Sequence, residues 1–537
     1  MMYFMRKLLQ IVLVLAAVPA YAWNVGTEAT HKSVIIEEFT GIHCGNCPDG
    51  HKRAAALQRM HPDNLFVVAI HAGSFATSYL DEPDFVTKAG ELIHNHFGVS
   101  SYPSGIVNRR DCGNGMIISR SIWGSAARVV NGDISPVNLY AECSYDNTSR
   151  ELTVNVEGYY TSTMTDPRLT LMLLQDNILG PQSGGLLGDE YPHRHMLRAV
   201  LTEDAFGDRL DVKEAGEYFS KEYRYTLPEA INSVPLEPYD TEVLVFVAEG
   251  EGEIVKATAL HPDVKADDDT RRVIVPSEPH IGIGNTYALD YLELILDNYT
   301  GEYATSAKVD FTLNETTTTL EWAGSVAPHS HGLIKVPFNG LLKETYDSDL
   351  SNYSYIVTEI NGKPLALETK KVKGSFKGLG EYPSDLVVKI KTDIEAADNT
   401  YRIIDEDGNT VHEFGPYADG LDKEYEESVN LEPGKVYGFE VTDCWGNGVY
   451  RPRGNVKMYD TKGNLAGQLM EISDYGVRTF FRAVVPAGID NVCSSAKVVE
   501  EEFYDLAGRK VAGNTSGIYI CRSRLSDGSV EVKKIKK

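Results

Sequence analysis

Two cysteines, Cys44 and Cys47, stand two residues apart in the stretch EEFTGIHCGNCPDGHKRAAALQRM, between an apolar run and an alanine-rich run. This spacing is compatible with a redox dithiol, half of a zinc site or a structural disulfide. Only the thiolate of a cysteine is a good nucleophile, and unpaired N–H groups at a helix start favour it. If a strand leads in and a helix leads out, Cys44 stands where that effect is largest. Cys47, one turn later, is then placed to resolve a mixed disulfide.

Four further residues fit a redox site around this pair. Glu38 lies six residues before Cys44, where a partly buried carboxylate would relay a proton. Tyr102 and Pro103 precede a short strand, and a cis proline there would offer backbone groups to an extended substrate. His43 adjoins Cys44 and would stabilise a thiolate. The predicted catalytic residues are Cys44, Cys47, Glu38 and Pro103, and the predicted substrate-binding residues are His43 and Tyr102.

Each assignment has a plainer alternative. Glu38 could be an ordinary strand residue, His43 a solvated loop residue and Pro103 a trans turn proline. A zinc site would need a second cysteine pair, and the sequence holds no second C-x-x-C. Three H-x-H pairs occur, at His94/His96, His193/His195 and His329/His331, but a helix or a loop explains them more simply. No metal and no cofactor is predicted.

The surrounding pattern supplies the elements that would position the dithiol. Residues 34–36 form a buried-strand pattern, and a helix is predicted from Pro48 to Met60, ended by His61-Pro62. Leu65 to Ile70 is typical of a central strand. A helical face follows over residues 85–96, then a strand over 105–108 and a closing helix over 116–130. This alternation predicts an α/β domain.

The rest of the chain indicates several β domains in an oxidising compartment. Arg6-Lys7, an apolar stretch and Ala20-Tyr21-Ala22 predict a cleaved signal peptide over residues 1–22, too short to span a membrane. Alternating apolar and polar residues after position 136 predict antiparallel β-sandwiches in series. The predicted divisions are 23–133 for the α/β domain, 134–265, 270–375 and 380–485 for sandwiches, and 486–537 for a small C-terminal β domain.

The composition limits the classes of molecule that the protein is expected to bind. The 537 residues carry a net charge of −26, which argues against nucleic acid because a phosphate backbone needs a basic face. The predicted partners are protein or peptide thiols and disulfides, with outer-membrane or cell-surface association and no transmembrane helix. Seven cysteines is an odd number, and sequence leaves the connectivity of five of them open: Cys112, Cys143, Cys444, Cys493 and Cys521.

The order of strand, C-x-x-C, helix, strand, helix, proline, strand and helix over residues 33–130 resembles the thioredoxin-like fold. That resemblance implies Cys44 as the attacking thiol, Cys47 as the resolving thiol, an acidic residue at Glu38 and a cis proline at Pro103. The segment departs from it at His43, at the residues between the cysteines and at Pro48, which bears on substrate and redox potential.

Two longer resemblances follow. The stretches VIIEEFTGIHCGNCPDGHK, YPSGIVNRR and YPHRHMLRAVL make residues 33–259 similar to the Omp28-related family of exported Bacteroidetes proteins. The C-terminus resembles a type IX secretion sorting domain, carried by YDLxGR, by GIY and by the closing KKIK. These resemblances imply an extracytoplasmic protein that is outer-membrane-associated, at the cell surface or secreted.

The sequence therefore leaves two functions of different classes open. One is an exported thiol–disulfide oxidoreductase that uses Cys44 and Cys47. The alternative is a cell-surface adhesion or binding protein in which the thioredoxin-like domain is a scaffold. About four-fifths of the chain lies outside the predicted redox module, and binding sites are common on sandwiches.

Overall fold

The computed structural model describes residues 23–537 with several gaps. The residues outside the description, besides 1–22, are 186–187, 265–272, 275–290, 314, 340–350, 366–371, 377–378, 421–422, 450–453, 471, 473–474, 486–497, 506–507, 513–516, 527–529 and 537. The predicted signal peptide, the Lys265–Asp269 linker and Cys493 all fall on undescribed residues.

The N-terminal unit, residues 23–264, holds all three α-helices of the described chain. The helices are α1 Cys47–Met60, α2 Lys88–Phe97 and α3 Trp123–Asn131. The strands are β1 Val34–Thr40, β2 Leu65–His71, β3 Ser104–Val107, β4 Ile117–Ser119, β5 Val137–Asp146, β6 Glu151–Tyr160, β7 Pro167–Gln175, β8 Ile178–Gly180, β9 Tyr191–His193, β10 Met196–Val200, β11 Asp208–Arg209, β12 Tyr218–Thr226, β13 Ala230–Ile231, β14 Val234–Pro235, β15 Thr241–Glu249 and β16 Ile254–Leu260.

One nine-stranded sheet runs through this unit. Its order is β16-β15-β7-β10-β2-β1-β3-β4, with β11 paired to β7. Strands β1 and β2 are parallel, β3 is antiparallel to β1, and β10 lies parallel to β2. The sheet therefore crosses the predicted division at residues 133/134, and strands from the later segment continue the sheet that carries the dithiol.

The alternation of side chains along β1 divides its two faces between different cores. Ile35 and Phe39 pack with β2, α2 and the strands β7, β10 and β15. Val34 and Ile36 pack on the other face against α1 and α3. Because side chains alternate along a strand, Glu38 shares the face of Ile36 and points towards α1. The far end of the sheet, with β7 and β15, packs against the three-stranded sheet β12-β6-β5.

The elements predicted around the dithiol are observed with shifted bounds: α2 begins at Lys88 instead of residue 85, and β3 covers Ser104–Val107 instead of 105–108. Helix α1 begins at Cys47, one residue before the predicted start, and Pro occupies its first turn. The predicted helix over 116–130 was wrong in its first part, because Ile117–Ser119 pair with β3 as an edge strand before α3 begins. Apolar residues at both ends of that segment produced a helical pattern, and only the neighbouring strand specifies β structure there.

Three further β-rich units follow. The middle unit has β17 Val273–Ile274, β18 Tyr291–Asn298, β19 Ala304–Leu313, β20 Thr316–Val326, β21 Ser330–Pro337, β22 Ser351–Ile360, β23 Lys363–Pro364 and β24 Val372–Phe376. The third has β25 Gly380–Pro383, β26 Asp385–Lys391, β27 Asn399–Ile404, β28 Thr410–Phe414, β29 Glu424–Asn430, β30 Val436–Asp443, β31 Asn455–Asp460, β32 Leu465–Leu469 and β33 Gly476–Val484. The last has β34 Val498–Tyr504, β35 Lys510–Val511, β36 Ile518–Leu525 and β37 Val530–Lys536.

The middle and third units each close two sheets over one apolar core, as the alternating patterns predict. The last unit is a single four-stranded sheet. The prediction of a multidomain, β-rich protein is confirmed. Among the described residues, no helix is long and apolar enough to cross a membrane.

The third unit packs directly on the helices of the N-terminal unit. The Trp445 ring is stacked on His61 with centroids 3.8 Å apart, and the His61 Nε2 lies 2.8 Å from the Cys444 carbonyl oxygen. Arg128 of α3 forms ion pairs with Asp398 and with other carboxylates of the third unit. The face of α1 and α3 remote from the sheet is therefore covered by another part of the chain.

Candidate functional site

The dithiol lies in the loop between β1 and α1. Cys44 and Cys47 are joined by a disulfide with their Cα atoms 5.4 Å apart. Cys47 opens α1 and is fully buried, whereas Cys44 is 3% exposed. The Cys47 N–H donates to the Cys44 carbonyl oxygen at 3.2 Å. The strand-to-helix setting deduced from sequence is the one observed, with the first cysteine nearer the surface than the second.

Glu38 lies beneath the first turns of α1. A methyl group at Gly50, three residues after Cys47, would come within 2.5 Å of the Glu38 Oε1 and 3.0 Å of the Pro103 Cβ. The side chain is 1% exposed, and among the described residues its Oε1 has no hydrogen-bond partner. Burial raises the pKa of Glu38 from 4.5 to about 8, although His195 and Arg120 oppose the rise. This carboxyl is therefore uncharged at neutral pH.

Pro103 also lies against Gly50 of α1. It is buried, its peptide bond with Tyr102 is cis, and it leads directly into β3. The Tyr102 hydroxyl lies 2.5 Å from the His94 Nε2, and the two rings are stacked. Burial raises the pKa of Tyr102. The structure thus places Pro103 against α1, while Tyr102 is engaged with α2.

His43 has a different neighbour from the one predicted. Its Nε2 lies 3.0 Å from the Glu82 Oε2, and its ring packs against Tyr79 at 4.4 Å. Its backbone N–H donates to the Phe75 carbonyl oxygen. These contacts orient the imidazole towards the segment that follows β2, so the ring belongs to the rim of the site.

Sequence reasoning gave no role in the redox site to His51, which stands one helical turn after Cys47. Its Nε2 lies 2.9 Å from the Thr40 hydroxyl and 3.8 Å from the Glu38 Oε1, and its Nδ1 lies 2.8 Å from the Tyr191 hydroxyl. Burial, with smaller contributions from His193 and Arg194, lowers the pKa of His51 to about 3, so the ring is neutral. A line of uncharged polar groups therefore leads from Glu38 to Tyr191 in β9.

Two more buried histidines adjoin that line. His193 packs against His71, with ring centroids 5.1 Å apart, and against His51 at 6.5 Å. Burial lowers the pKa of His193 to about 4 and that of His71 well below its ordinary value. Neither ring nitrogen of His71 has a hydrogen-bond partner within the described chain. No group of three or more His, Cys, Asp or Glu among the described residues is arranged to hold a metal ion.

His193 and His195 do not form a common site, because the backbone conformation directs their side chains to different surroundings. His195 has a positive φ of 48°, so its side chain does not share a face with His193. Its Nδ1 lies 3.7 Å from the Asp176 Oδ1 and 3.5 Å from the Glu242 Oε2. These carboxylates overcome the effect of burial and raise the pKa of His195 to about 9. His193 belongs to the neutral cluster near the dithiol, and His195 belongs to an ion-pair network.

A segment of the β8–β9 connection covers the dithiol loop, and we call residues 181–185 the cap. The Gln182 side-chain amide donates to the carbonyl oxygens of Gly41, at 3.2 Å, and Cys44, at 3.0 Å. The Ser183 N–H donates to the Ile42 carbonyl oxygen at 2.7 Å. No local pattern around residue 182 indicated this contact, because it joins segments about 140 residues apart in sequence.

Comparison with known proteins shows that part of the chain is similar to a described family. Residues 91–263 match the family model described as outer membrane protein Omp28. The chain is therefore similar to that family over residues 91–263, which supports the resemblance derived from the sequence. The match also confirms the predicted extracytoplasmic, outer-membrane-associated or surface location. None of the curated proteins matches the chain.

Solved structures with partial similarity include three from bacteria. HBP35 of Porphyromonas gingivalis is 18% identical and has a TM-score of 0.36, covering 64% of this chain and 98% of that one. A domain of the outer membrane lipoprotein Omp28 from Porphyromonas gingivalis is 15% identical with a TM-score of 0.18, covering 25% and 93%. A Ca2+-stabilised ice-binding adhesin of an Antarctic bacterium is 12% identical with a TM-score of 0.12, covering 74% and 97%.

Proposed function

We propose that this chain is an exported thiol–disulfide oxidoreductase whose N-terminal unit contains a thioredoxin-like domain. The observation that carries the proposal is the disulfide at the start of α1, with the buried carboxyl of Glu38 and the cis Pro103 both lying against Gly50 of the same helix, three residues after Cys47. The order β10-β2-β1-β3-β4, with α1 and α3 on one face and α2 on the other, supports the thioredoxin-like assignment.

The reaction begins from the dithiol form. The Cys44 thiolate attacks one sulfur of a partner disulfide, forms a mixed disulfide and releases the partner's other sulfur as a thiolate. Cys47 then loses its proton and attacks the Cys44 sulfur, which releases the second partner sulfur and forms the Cys44–Cys47 disulfide. Two electrons pass from the protein to the partner, and reversal of the same steps oxidises a partner dithiol.

We assign the exchange of the Cys47 proton to Glu38. With a pKa of about 8, it holds a proton at neutral pH that it can give to the Cys47 thiolate when the disulfide opens. In the opposite direction, its carboxylate form accepts the proton of the Cys47 thiol. His51 lies 3.8 Å from the same carboxyl and acts as a positioning residue that connects it to Tyr191.

Insulin reduction in the presence of dithiothreitol tests the proposal. The full-length protein should accelerate the reduction, and Cys44→Ser should abolish the acceleration. Cys112→Ser is the matched control, because Cys112 is a free cysteine of intermediate burial elsewhere in the N-terminal unit. Equal acceleration by the wild type and Cys44→Ser would refute the oxidoreductase function.

A second candidate is a surface binding protein in which the dithiol is a structural disulfide. The cap and the low exposure of Cys44 favour it, as does the relation to an outer membrane family. A Cys44–Cys47 disulfide that persists through prolonged incubation with millimolar reduced glutathione, together with no effect of the chain on insulin, would favour this candidate.

We further propose that residues 1–22 are a signal peptide and that residues 486–537 form a type IX sorting domain. The four-stranded sheet β35-β34-β36-β37 supports a separate C-terminal unit. The divisions 23–133, 134–265, 270–375 and 380–485 describe the remaining units, with the first two sharing one sheet.

A further inference from the structure

The cap makes three hydrogen bonds to the loop that carries Cys44. Two come from the Gln182 side chain, which is 2% exposed, and one comes from the Ser183 backbone. The carbonyl oxygens of Gly41 and Cys44 also accept backbone N–H groups within their own loop. The Ile42 carbonyl accepts from the cap alone among the contacts of the described chain.

Gly184 brings the cap into direct contact with the dithiol motif. Its φ is +76°, and a methyl group on its Cα would collide with the backbone of Gly45, the residue after Cys44. Only a residue without a side chain permits this approach, because the left-handed conformation and the close contact both exclude a Cβ. Gly188, in the same connection, also has a positive φ of +59° but has no neighbour within 4 Å of such a methyl group.

The cap is also hydrogen-bonded to residues near and within β9. The Gln182 N–H donates to the Gly188 carbonyl oxygen at 3.2 Å, and the His193 Nε2 lies 3.3 Å from the Pro181 carbonyl oxygen. The Gly185 N–H closes a tight turn onto the Gln182 carbonyl oxygen at 3.0 Å. The cap is therefore a folded part of the N-terminal unit with its own internal bonds.

We propose that the cap restricts the dithiol to polypeptide partners. With the cap in place, Cys44 is almost inaccessible, so a thiol can reach its sulfur only after the cap moves. Once it moves, the Ile42 carbonyl needs a new donor. An extended main chain offers regularly spaced N–H groups that can pair along the exposed loop, whereas 2-mercaptoethanol has a single hydroxyl and cannot pair along it. This inference rests on the proposed oxidoreductase function.

Reduction of the Cys44–Cys47 disulfide by dithiothreitol measures the opening of the cap. Each reaction transfers two electrons and two protons to the cysteine pair and converts dithiothreitol into its cyclic disulfide. Alkylation followed by peptide mass spectrometry distinguishes this pair from the other cysteines. Gly184→Ala should speed reduction about 10-fold, the factor expected for the loss of roughly one net hydrogen bond or more. Gly216→Ala, at an exposed position between β11 and β12 where φ is +91° and no atom lies within 4 Å of the added methyl group, introduces backbone strain away from the cap and should react at the wild-type rate.

Gln182→Ala provides a second route that introduces no backbone strain. It removes two of the three hydrogen bonds that join the cap to the loop carrying Cys44. Gln468→Ala, at an exposed position in the third unit, is its control. Gln182→Ala should also react about 10-fold faster than the wild type. If neither Gln182→Ala nor a folded Gly184→Ala exceeds its control, the cap does not limit access and the inference is wrong.

A comparison of partners separates this inference from the proposed function. The wild-type disulfide should react at least about 10-fold faster with an unfolded cysteine-containing peptide than with 2-mercaptoethanol, and Gln182→Ala should reduce that ratio towards one. Rapid reaction of the wild type with both thiols would overturn the cap inference while leaving the oxidoreductase function intact. Slow reaction with both, even in the opened variants, would contradict the function itself.

Discussion

Replacement of Glu38 by glutamine should change how stability depends on pH. The carboxyl has a pKa of about 8 in the folded chain because it is buried, and its ordinary value is 4.5. As pH rises, the unfolded chain therefore releases this proton before the folded chain does. The contribution of Glu38 to the unfolding free energy is fully present below pH 4.5 and is lost as pH rises towards 8. The amide of the Glu38→Gln variant does not titrate and has nearly the shape of the protonated glutamic acid, so the variant should lack this loss.

The size of the effect follows from the two pKa values. At about 1.36 kcal/mol per pH unit, the wild type should lose ~3.5 kcal/mol of unfolding free energy from pH 5 to pH 8 through Glu38 alone. The His51, His193 and His195 titrations contribute to both proteins and cancel in the difference. The expected result is that Glu38→Gln gains ~3.5 kcal/mol relative to the wild type across that interval.

Segment-resolved hydrogen exchange along a urea titration provides the assay, because the protection of β1 reports the N-terminal unit in a chain with several units. Glu142→Gln, at an exposed position on β5, is the matched control and should follow the wild type at both pH values. Parallel behaviour of Glu38→Gln and the wild type from pH 5 to pH 8 would show that Glu38 is ionised in the folded chain. That result would remove the proton donor from the proposed mechanism.

Three further predictions concern two other contacts and the C-terminal unit. Tyr191→Phe removes the hydroxyl that lies 2.8 Å from the His51 Nδ1, and should lower the unfolding free energy by about 1 kcal/mol in the same assay; no change would mean that the contact is dispensable. Trp445→Ala removes a ring that is 6% exposed and stacked on His61, and should cost about 3 kcal/mol and speed proteolytic separation of the third unit. Unaltered proteolysis would contradict that contact. Deletion of residues 498–537 should retain the protein inside the outer membrane of a type IX-secreting host, as judged by cell fractionation, and continued export would refute the sorting assignment.

The sequence predicted the parts of the site that depend on neighbouring residues. Cys44, Cys47 and the helix that follows them are encoded within one stretch, and the alternation along β1 is enough to place Glu38 on the face of Ile36. The observed strand β1 and helix α1 follow these patterns closely.

Contacts between distant segments were not predictable in the same way. The bond from His51 to Tyr191 spans 140 residues, and the cap reaches Cys44 across 138. Strand β10 joins β2 through a single pairing of Met196 with Ala69, which no local pattern encodes. These contacts are specified by the packing of the nine-stranded sheet and its connections as a whole.

Trapping of a mixed disulfide tests the central claim most directly. Cys47→Ser leaves Cys44 able to attack a partner disulfide but removes the thiol that would resolve the product. Incubation of the reduced variant with a peptide disulfide, followed by peptide mass spectrometry, should show a stable adduct at Cys44, and the matched Cys44→Ser variant should show none at Cys47. Absence of an adduct at Cys44, or equal adducts at the two positions, would contradict the assignment of Cys44 as the attacking thiol.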